Sequence, residues 1–225
     1  MLLIGPPGSG KGTQASRLKQ WLGIPAISTG DMFRLEIENK TTLGMEAEKV
    51  INQGKLVDDL LVQKMLETRL SDPDCRQGFL LDGYPRTVAQ AKFLSQFLAR
   101  TGRPEPLVLH MDVPGDLLIQ RMSARRSCSQ CGRIYNVLNS PPNTAGVCDD
   151  DGATLLHRED DRGAVIGERL EAYQTWTRPV VEYYTGGSYY KINGNRPQAE
   201  VFASIVDSGN RHRAQFPAEQ QSQKE

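Results

Sequence analysis

The first connection from a strand-like segment to a helical one carries the sequence GPPGSGKGT, residues 5–13. Its glycines let the backbone approach an anion closely, and the start of a helix adds partial positive charge there. Lys11 supplies a mobile charge for the outer phosphates, and a hydroxyl at the helix start can help to hold Mg²⁺. An ordinary tight turn has no need of a lysine at this spacing. The segment therefore predicts a phosphate-binding loop, although Gly12 displaces Thr13 by one residue from the strict GxxxxGK[ST] pattern.

Strand-like and helical patterns alternate along the chain. The alternation is typical of an α/β fold, in which helices cover both faces of a mostly parallel sheet. Ligands of such folds bind beyond the carboxyl ends of the strands, where the phosphate loop, Thr29 and Asp82 are expected to meet. The strand candidates are residues 2–4, 25–28, 78–82, 107–113 and 189–192, and the helical candidates are residues 12–22, 31–39, 60–70, 87–100 and 114–125.

Two segments interrupt this alternation and predict insertions into a core formed by residues 1–28, 58–124 and 163–206. Residues 29–57 have a helical pattern, with Gly44 and Gly54 near its limits. Residues 125–162 contain short strand-like pieces and three of the four cysteines. From position 207 to 225 the chain is polar and poor in apolar residues, which predicts a disordered tail.

The overall composition excludes several classes of protein. Lysine plus arginine and aspartate plus glutamate number 27 each, so no net charge favours nucleic acid or a membrane surface as a partner. No apolar run reaches the roughly 18 residues of a membrane span. The first residues run directly into the phosphate loop and leave no room for a signal peptide. We therefore expect a cytoplasmic protein, and a monomer in the absence of an evident apolar interface pattern.

The clustered cysteines have the spacing of a metal site. Cys128 and Cys131 form one pair, and Cys148 with Asp151 forms a second at the same separation. Two such pairs predict a tetrahedral Zn²⁺ site of three thiolates and one carboxylate, which is structural because protein ligands fill all four positions. Asp149 or Asp150 could replace Asp151, and unligated thiols are a further alternative.

Three motifs together resemble the adenylate kinase family of nucleoside monophosphate kinases. They read GPPGSGKGTQ from position 5, STGDMFR from position 28 and LDGYPRT from position 81, and the similarity extends over residues 1–206. The resemblance implies the reaction ATP + AMP ⇌ 2 ADP with Mg²⁺. It also identifies residues 29–57 as the AMP-binding domain and residues 125–162 as a lid, which in some bacterial members carries three cysteines and an aspartate.

The resemblance also implies the residues of the site. Arg34 and Arg86 are expected to bind the acceptor phosphate, because guanidinium groups pair bidentately with phosphate oxygens, whereas an isolated arginine more often forms a surface ion pair. The implied catalytic residues are Lys11, Arg86, Arg125, Arg158 and Arg169. The implied ATP-binding residues are Gly8, Ser9, Gly10, Lys11, Gly12, Thr13, Arg121, Arg125, Ile134, Tyr135 and Arg196. The implied AMP-binding residues are Thr29, Arg34, Lys55, Leu56, Val57, Gly83, Tyr84, Pro85, Arg86, Gln90, Arg158 and Arg169.

Several of these assignments have alternatives. Asp82 ends an apolar run and is expected to orient Mg²⁺ through water, or else to cap the following turn. Ile134 and Tyr135 would pack near the ATP base, or form the core of the lid. Asp160 and Asp161 would hold Arg125 or Arg158, or form a solvated charged segment. Tyr84 stands where the family commonly has phenylalanine, which leaves the choice of acceptor more open.

Three other functions compete with an adenylate kinase. A kinase for UMP or CMP is disfavoured by Thr29, by Gln90, which can pair with the adenine edge, and by the long lid. A zinc-ribbon protein that binds nucleic acid is disfavoured by the balanced charge and by the absence of a basic stripe. A P-loop hydrolase would need a residue that positions water, and the sequence does not identify one.

Overall fold

The computed structural model describes residues 1–215 and has a five-stranded parallel sheet as its centre. Its strands lie side by side in the order Ala26–Ser28, Leu80–Asp82, Leu2–Ile4, Val108–Asp112 and Tyr189–Asn193. Within the sheet, Leu2 lies opposite Leu81 on one side and Val108 on the other. The strands are β1 (Leu2–Ile4), β2 (Ala26–Ser28), β3 (Leu80–Asp82), β4 (Val108–Asp112) and β8 (Tyr189–Asn193). The predicted α/β fold class is therefore confirmed.

The helices fall on both faces of this sheet, as the alternating pattern predicts. The ten strands and helices named from the sequence begin and end within two residues of their predicted limits. The α-helices are α1 (Lys11–Leu22), α2 (Thr29–Glu38), α3 (Thr42–Ile51), α4 (Asp59–Leu70), α5 (Val88–Arg100), α6 (Gly115–Ser123), α7 (Gly163–Ala172), α8 (Arg178–Tyr184) and α9 (Gln198–Gln215). No helix among residues 1–215 is both long enough and apolar enough to cross a membrane.

The apolar core forms on the two faces of the sheet because successive strand residues point in opposite directions. Leu2 and Ile4 pack with side chains of α4, α5 and α8 on one face. Leu3 packs with side chains of α1 and α9 on the other. Burial of β1 on both faces requires an uninterrupted apolar strand, and this is the sequence that leads into the phosphate loop.

Each insertion forms its own small unit. The first contains α2 and α3, whose N-termini are capped by the hydroxyls of Ser28 and Thr41. The second is an antiparallel sheet in the order β6-β5-β7. Its strands are β5 (Arg125–Cys128), β6 (Ile134–Asn136) and β7 (Leu155–Leu156).

The prediction of disorder from residue 207 is wrong for residues 207–215, because α9 continues to Gln215. Four residues of this helix, Val201, Ile205, Ser208 and Gly209, are buried. Their spacing places them on one helical face, so the helix packs on the core although its composition is polar. Residues 216–225 of the predicted tail lie outside the described part of the chain.

Candidate active site

The phosphate loop joins β1 to α1 at the carboxyl edge of the sheet. Gly8 and Gly10 have φ angles of 80° and 93°, a region that L side chains rarely adopt, and a Cβ at Gly8 would lie 2.9 Å from the carbonyl oxygen of Leu118. The Lys11 Nζ donates hydrogen bonds of 2.8 Å to the carbonyl oxygens of both Gly5 and Pro6. The lysine charge is therefore held over the loop, where the motif places it.

The electrostatic environment of Lys11 shows which groups surround it. Burial lowers the pKa of Lys11 to about 8; Asp82 opposes this, and the positive charges of Arg86, Arg125 and Arg169 lower the pKa further. Like charges lower the pKa of a base only when they lie close to it. Three arginines from distant parts of the sequence therefore converge on the phosphate loop.

Asp82 ends β3 beside the loop, as predicted. A Cβ at Gly12 would lie 3.4 Å from Asp82 Oδ2, so the carboxylate faces the start of α1. Burial raises the pKa of Asp82, whereas the charge of Lys11 lowers it. A carboxylate oxygen next to a phosphate loop is the kind of ligand that Mg²⁺ takes in proteins.

Asp161 fixes two of the arginines. Its carboxylate accepts hydrogen bonds from Arg125 Nε at 2.7 Å, Arg125 Nη2 at 2.6 Å and Arg169 Nη1 at 2.6 Å. The Asp161 side chain is 0% exposed, so these are buried, charge-assisted contacts. Arg169 Nη1 also lies 3.1 Å from an Asp160 carboxylate oxygen. Of the two alternatives for this acidic pair, the structure therefore shows the one that holds arginines.

Of the two arginines expected to bind the acidic pair, Arg125 does so, and Arg158 has a different partner. Its Nε lies 3.3 Å from the hydroxyl of Ser127 in β5. Burial lowers the pKa of Arg158, and the charges of Arg34 and Arg125 lower it further. Arg34 is paired with Asp31 one turn earlier on α2. Arg158 therefore lies near both Arg34 of the first insertion and Arg125 at the base of the second.

Arg86 lies in the loop after β3, where several side chains determine its backbone position. Its Nε donates to the carbonyl oxygen of Gly83 at 2.8 Å, and its backbone N–H donates to Gln90 Oε1 at 2.7 Å. The hydroxyl of Thr177 donates to the Arg86 carbonyl oxygen at 3.0 Å. Thr177 ends a π-helical turn, Tyr173–Thr177, between α7 and α8.

Several other predicted AMP-binding residues lie in the loop that carries Arg86 or contact it. The Thr29 hydroxyl donates to the Gly83 carbonyl oxygen at 3.3 Å. The hydroxyl of the buried Tyr84 donates to the Gln90 carbonyl oxygen at 3.3 Å, and Pro85 lies between Tyr84 and Arg86. The Tyr84 hydroxyl thus ties the loop to the first turn of α5.

The first insertion approaches the helix that carries Arg169. A Cβ at Gly54 would lie 3.0 Å from the carbonyl oxygen of Val165 and 3.1 Å from Arg169 Cγ. Lys55 and Leu56 line a cavity of about 220 Å³ against residues of α7 and the π-helical turn, including Trp176. Val57 packs against the main core.

The predicted ATP-binding residues outside the phosphate loop lie near one another, since Asn136 of β6 donates to the carbonyl oxygen of Arg121 at 3.3 Å. Arg121 Nη1 donates to the Gly194 carbonyl oxygen at 3.0 Å, and the exposed Arg196 follows two residues later. Ile134 is partly buried in β6. The Tyr135 side chain is buried in the lid, where its hydroxyl contacts Cys148 Sγ at 3.4 Å. For the Tyr135 side chain, the structure thus shows the lid-core alternative.

The predicted metal ligands meet in the lid. The donor atoms of Cys128, Cys131, Cys148 and Asp151 all lie within 4.8 Å of one another. The two other candidate carboxylates have different partners, since Asp149 Oδ1 accepts from the backbone of Asn143 and Asp150 pairs with Arg133. The four residues form a candidate metal site, and its carboxylate is the one that the spacing favours.

Asp31, Asp59, Ser127 and Thr177 were missed by the sequence reasoning, although each contacts a predicted site residue. Asp31 lies within the second motif, three residues before Arg34, and this helical spacing was an available signal. Ser127 and Thr177 contact residues 31 and 91 positions away. For these two residues the sequence contains no local signal.

At this edge of the sheet, cationic side chains exceed acidic ones. Lys11 and five arginines stand among four carboxylates, so two positive charges are in excess. The cations are Lys11, Arg34, Arg86, Arg125, Arg158 and Arg169, and the carboxylates are Asp31, Asp82, Asp160 and Asp161. A parallel sheet with this loop and this cluster defines a P-loop protein that binds polyphosphates.

Comparison with known proteins narrows this class. The sequence profile of the family described as adenylate kinase matches residues 3–188. Adenylate kinase of Syntrophomonas wolfei is 46% identical over 208 residues, which cover 92% of this chain and 97% of that protein. The adenylate kinases of Thermosipho melanesiensis and Bacillus subtilis are 45% and 42% identical, each across 92% of this chain, covering 97% and 96% of those proteins. This chain belongs to the adenylate kinase family.

Proposed function

We propose that the protein catalyses the reversible transfer of a phosphoryl group from ATP to AMP, giving two molecules of ADP. The observation that carries this proposal is one continuous cluster of cations: Arg125 and Arg169, joined by Asp161, lie near Lys11 of the phosphate loop, and Arg158 lies near both Arg125 and Arg34 of the first insertion. Two insertions that supply charge to one site match a reaction with two phosphorylated substrates. The relatives named above, which are adenylate kinases, support the same substrates.

Phosphoryl transfer between nucleotides depends on alignment of the two substrates and on positive charge around the transferring group more than on proton transfer. AMP already presents an anionic oxygen, so the attack on the γ-phosphorus requires no general base. Lys11, Arg125 and Arg169 surround the transferring group in this proposal and stabilise the charge that spreads over its oxygens. The guanidinium groups of Arg125 and Arg169 keep their protons at physiological pH, and Asp161 holds both in place.

The two substrates are assigned to opposite sides of this cluster. The phosphates of ATP occupy the loop from Gly8 to Thr13, and the AMP phosphate lies between Arg34, Arg86 and Arg158. Thr29, Gln90 and residues 55–57 face the AMP nucleoside, with Gly83, Tyr84 and Pro85 forming the loop beneath it. The ATP base lies near Ile134 and the backbone of residues 135 and 196, and Arg121 approaches the ATP phosphates.

The proposal includes two metal ions. Asp82 would hold Mg²⁺ through water beside the ATP phosphates, and the metal would neutralise part of their negative charge. For Zn²⁺, a tetrahedral site implies about 3.8 Å between sulfurs and about 3.5 Å between sulfur and oxygen. The distances of 3.6 Å from Cys131 Sγ to Cys148 Sγ and of 3.2 Å from Cys128 Sγ to Asp151 Oδ2 are close to these values.

We assign a structural role to zinc, because four protein ligands leave no position for water. The lid cluster around it contains few buried apolar residues, namely Cys128, Tyr135, Cys148 and Leu155. Metal ligation would therefore supply cohesion that burial alone cannot provide in so small a unit. A cytoplasmic location and a monomeric state stay predictions from the sequence.

An acceptor panel tests the proposed function. Purified protein is incubated with ATP and Mg²⁺ together with AMP, UMP, CMP or no acceptor, and the products are separated by chromatography. We expect AMP to be phosphorylated far faster than the other acceptors, with little ADP formed from ATP alone. Lys11→Met should lower turnover at least about a hundredfold, whereas Lys19→Met, at an exposed position of the same helix, should not. Equal rates with UMP or CMP would contradict the assignment to AMP.

A further inference from the structure

Asp59, in the first turn of α4, is turned toward the loop that carries Arg86. Its carboxylate accepts hydrogen bonds from Gln90 Nε2 at 2.7 Å and from the Thr87 hydroxyl at 2.8 Å. The neighbouring Asp58 instead caps α4, accepting from the backbone N–H groups of residues 60 and 61. The two adjacent carboxylates therefore have separate tasks, and that of Asp59 lies outside its own helix.

The contacts at both ends of the Gln90 amide fix its orientation. Oε1 accepts from the backbone N–H of Arg86, and Nε2 donates to the carboxylate of Asp59. A backbone N–H can only donate, and a carboxylate can only accept. Exchanging the amide oxygen and nitrogen would set two donors against each other at Arg86 and two acceptors at Asp59. Because Gln90 is only 2% exposed, water would not relieve that mismatch.

The fixed amide has a defined capacity to read a base. An amide nitrogen has two hydrogens and an amide oxygen two lone pairs, so each atom keeps one site beyond its contact in the structure. Adenine presents a donor at its N6 amino group and an acceptor at N1. Guanine and hypoxanthine present the reverse, an acceptor at O6 and a donor at N1. An amide held in one orientation can match only one of these patterns.

We infer that Asp59 is a specificity-determining residue, which keeps the Gln90 amide in the orientation that pairs with adenine and rejects 6-oxopurines. Asp59 acts through Gln90 and is thus a positioning residue. This inference rests on the proposed function, in which Gln90 faces the base of AMP. Without Asp59, only the Arg86 N–H orients the amide. Turning the amide to pair with a 6-oxopurine would then cost less free energy.

IMP is the sharpest probe for this inference, because hypoxanthine has the size of adenine and reverses the donor and acceptor pattern at position 6 and N1. The experiment measures kcat/KM for AMP and for IMP, with ATP as donor, in the wild type, Asp59→Ala, Gln90→Leu and the double variant. We expect Asp59→Ala to narrow the AMP-to-IMP ratio about tenfold, the scale of one charged hydrogen bond. The change should appear in the KM of the acceptor, and the KM of ATP should stay constant.

The double variant shows whether Asp59 changes the AMP-to-IMP ratio through Gln90. If Asp59 acts through Gln90, Asp59→Ala should narrow the ratio no further in the Gln90→Leu background. Asp58→Ala is the matched control, because it removes the adjacent carboxylate and should leave the ratio at the wild-type value. Asp59→Leu replaces Asp59→Ala if the smaller side chain prevents folding, and the same narrowing is expected.

Two results would overturn the inference. One is a folded Asp59 variant with the wild-type AMP-to-IMP ratio, and the other is an equal narrowing with and without Gln90. The inference would also be contradicted if the wild type phosphorylates AMP but has an AMP-to-IMP ratio of kcat/KM below about ten, the factor expected from Asp59. Failure of the proposed function looks different, because the wild type would then not phosphorylate AMP at all.

Discussion

Replacing Asp161 by asparagine should loosen the arginines of the site more than any other single change of a carboxylate there. The carboxylate accepts three hydrogen bonds of 2.6–2.7 Å from Arg125 and Arg169, and its side chain is 0% exposed. Removing one partner of a buried ion pair costs about 3–5 kcal/mol, because the remaining charge loses its compensation. Asparagine keeps one acceptor oxygen, so we expect the lower end, about 3 kcal/mol.

The same substitution should lower turnover, because the two arginines would no longer be held against the transferring group. A displacement of about 1 Å in such groups costs roughly a hundredfold in rate. Urea unfolding gives the stability change, and kcat is measured well below the melting temperature so that unfolding does not contribute. Glu159→Gln is the control, since Glu159 pairs with Arg162 where both side chains are more than half exposed.

A normal kcat in folded Asp161→Asn would refute the claim that Asp161 positions Arg125 and Arg169. A loss of stability no greater than that of Glu159→Gln would contradict the energetic reasoning. A large fall in both quantities for Asp161→Asn alone is the result that the geometry predicts.

Three further perturbations have defined outcomes. The pKa of Lys11 is about 8, and the negative charge of ATP phosphates would raise it. The protein should therefore take up a proton when it binds ATP near pH 8, and its affinity for ATP should fall as the pH rises above 8. Calorimetry in buffers of different ionisation enthalpy measures this proton uptake, which should be lost in Lys11→Met. Arg86→Lys keeps the positive charge but loses the bidentate pairing of a guanidinium group with phosphate, so kcat/KM for AMP should fall at least about tenfold. The affinity for ATP, measured by titration, should change little. Equal losses for both nucleotides would show that Arg86 does not bind the AMP phosphate specifically. Removing zinc with a chelator, or replacing Cys148 by serine, should lower the melting temperature by several degrees and leave activity at low temperature largely intact. Elemental analysis should show that Asp151→Ala loses more zinc than Asp149→Ala. An unchanged melting temperature of the metal-free protein would exclude a structural zinc.

The parts of the structure that depend on local spacing were predictable from the sequence. The phosphate loop, the strand that precedes it and the four candidate metal ligands each lie within a short segment whose residue types have few other uses. The individual helices α7 and α8 were not predicted. Gly163 and Gly167 weaken the helical pattern, a π-helical turn separates the two helices and Pro179 stands in the first turn of α8.

The contacts that orient the site were less accessible from the sequence, because they depend on how distant segments pack. Asp161 meets Arg125 across 36 positions, and Asp59 meets Gln90 across 31. Neither separation leaves a periodic pattern in the sequence, and an aspartate in the first turn of a helix is ordinarily explained by the helix dipole. The sequence leaves both alternatives for Asp161 open. They are distinguished only by the packing of the 3₁₀ turn Glu159–Asp161 against β5 and α7.

The stoichiometry of the reaction distinguishes transfer of the phosphoryl group to AMP from transfer to water. Equal amounts of ATP and AMP are incubated with Mg²⁺ and catalytic amounts of protein, and all phosphorus-containing species are followed by ³¹P NMR. The proposed function predicts that one ATP and one AMP disappear for every two ADP formed, and that the reverse reaction starts from ADP alone. ADP formation accompanied by an equal amount of inorganic phosphate, with AMP unchanged, would show that the site transfers the phosphoryl group to water and would contradict the proposed function.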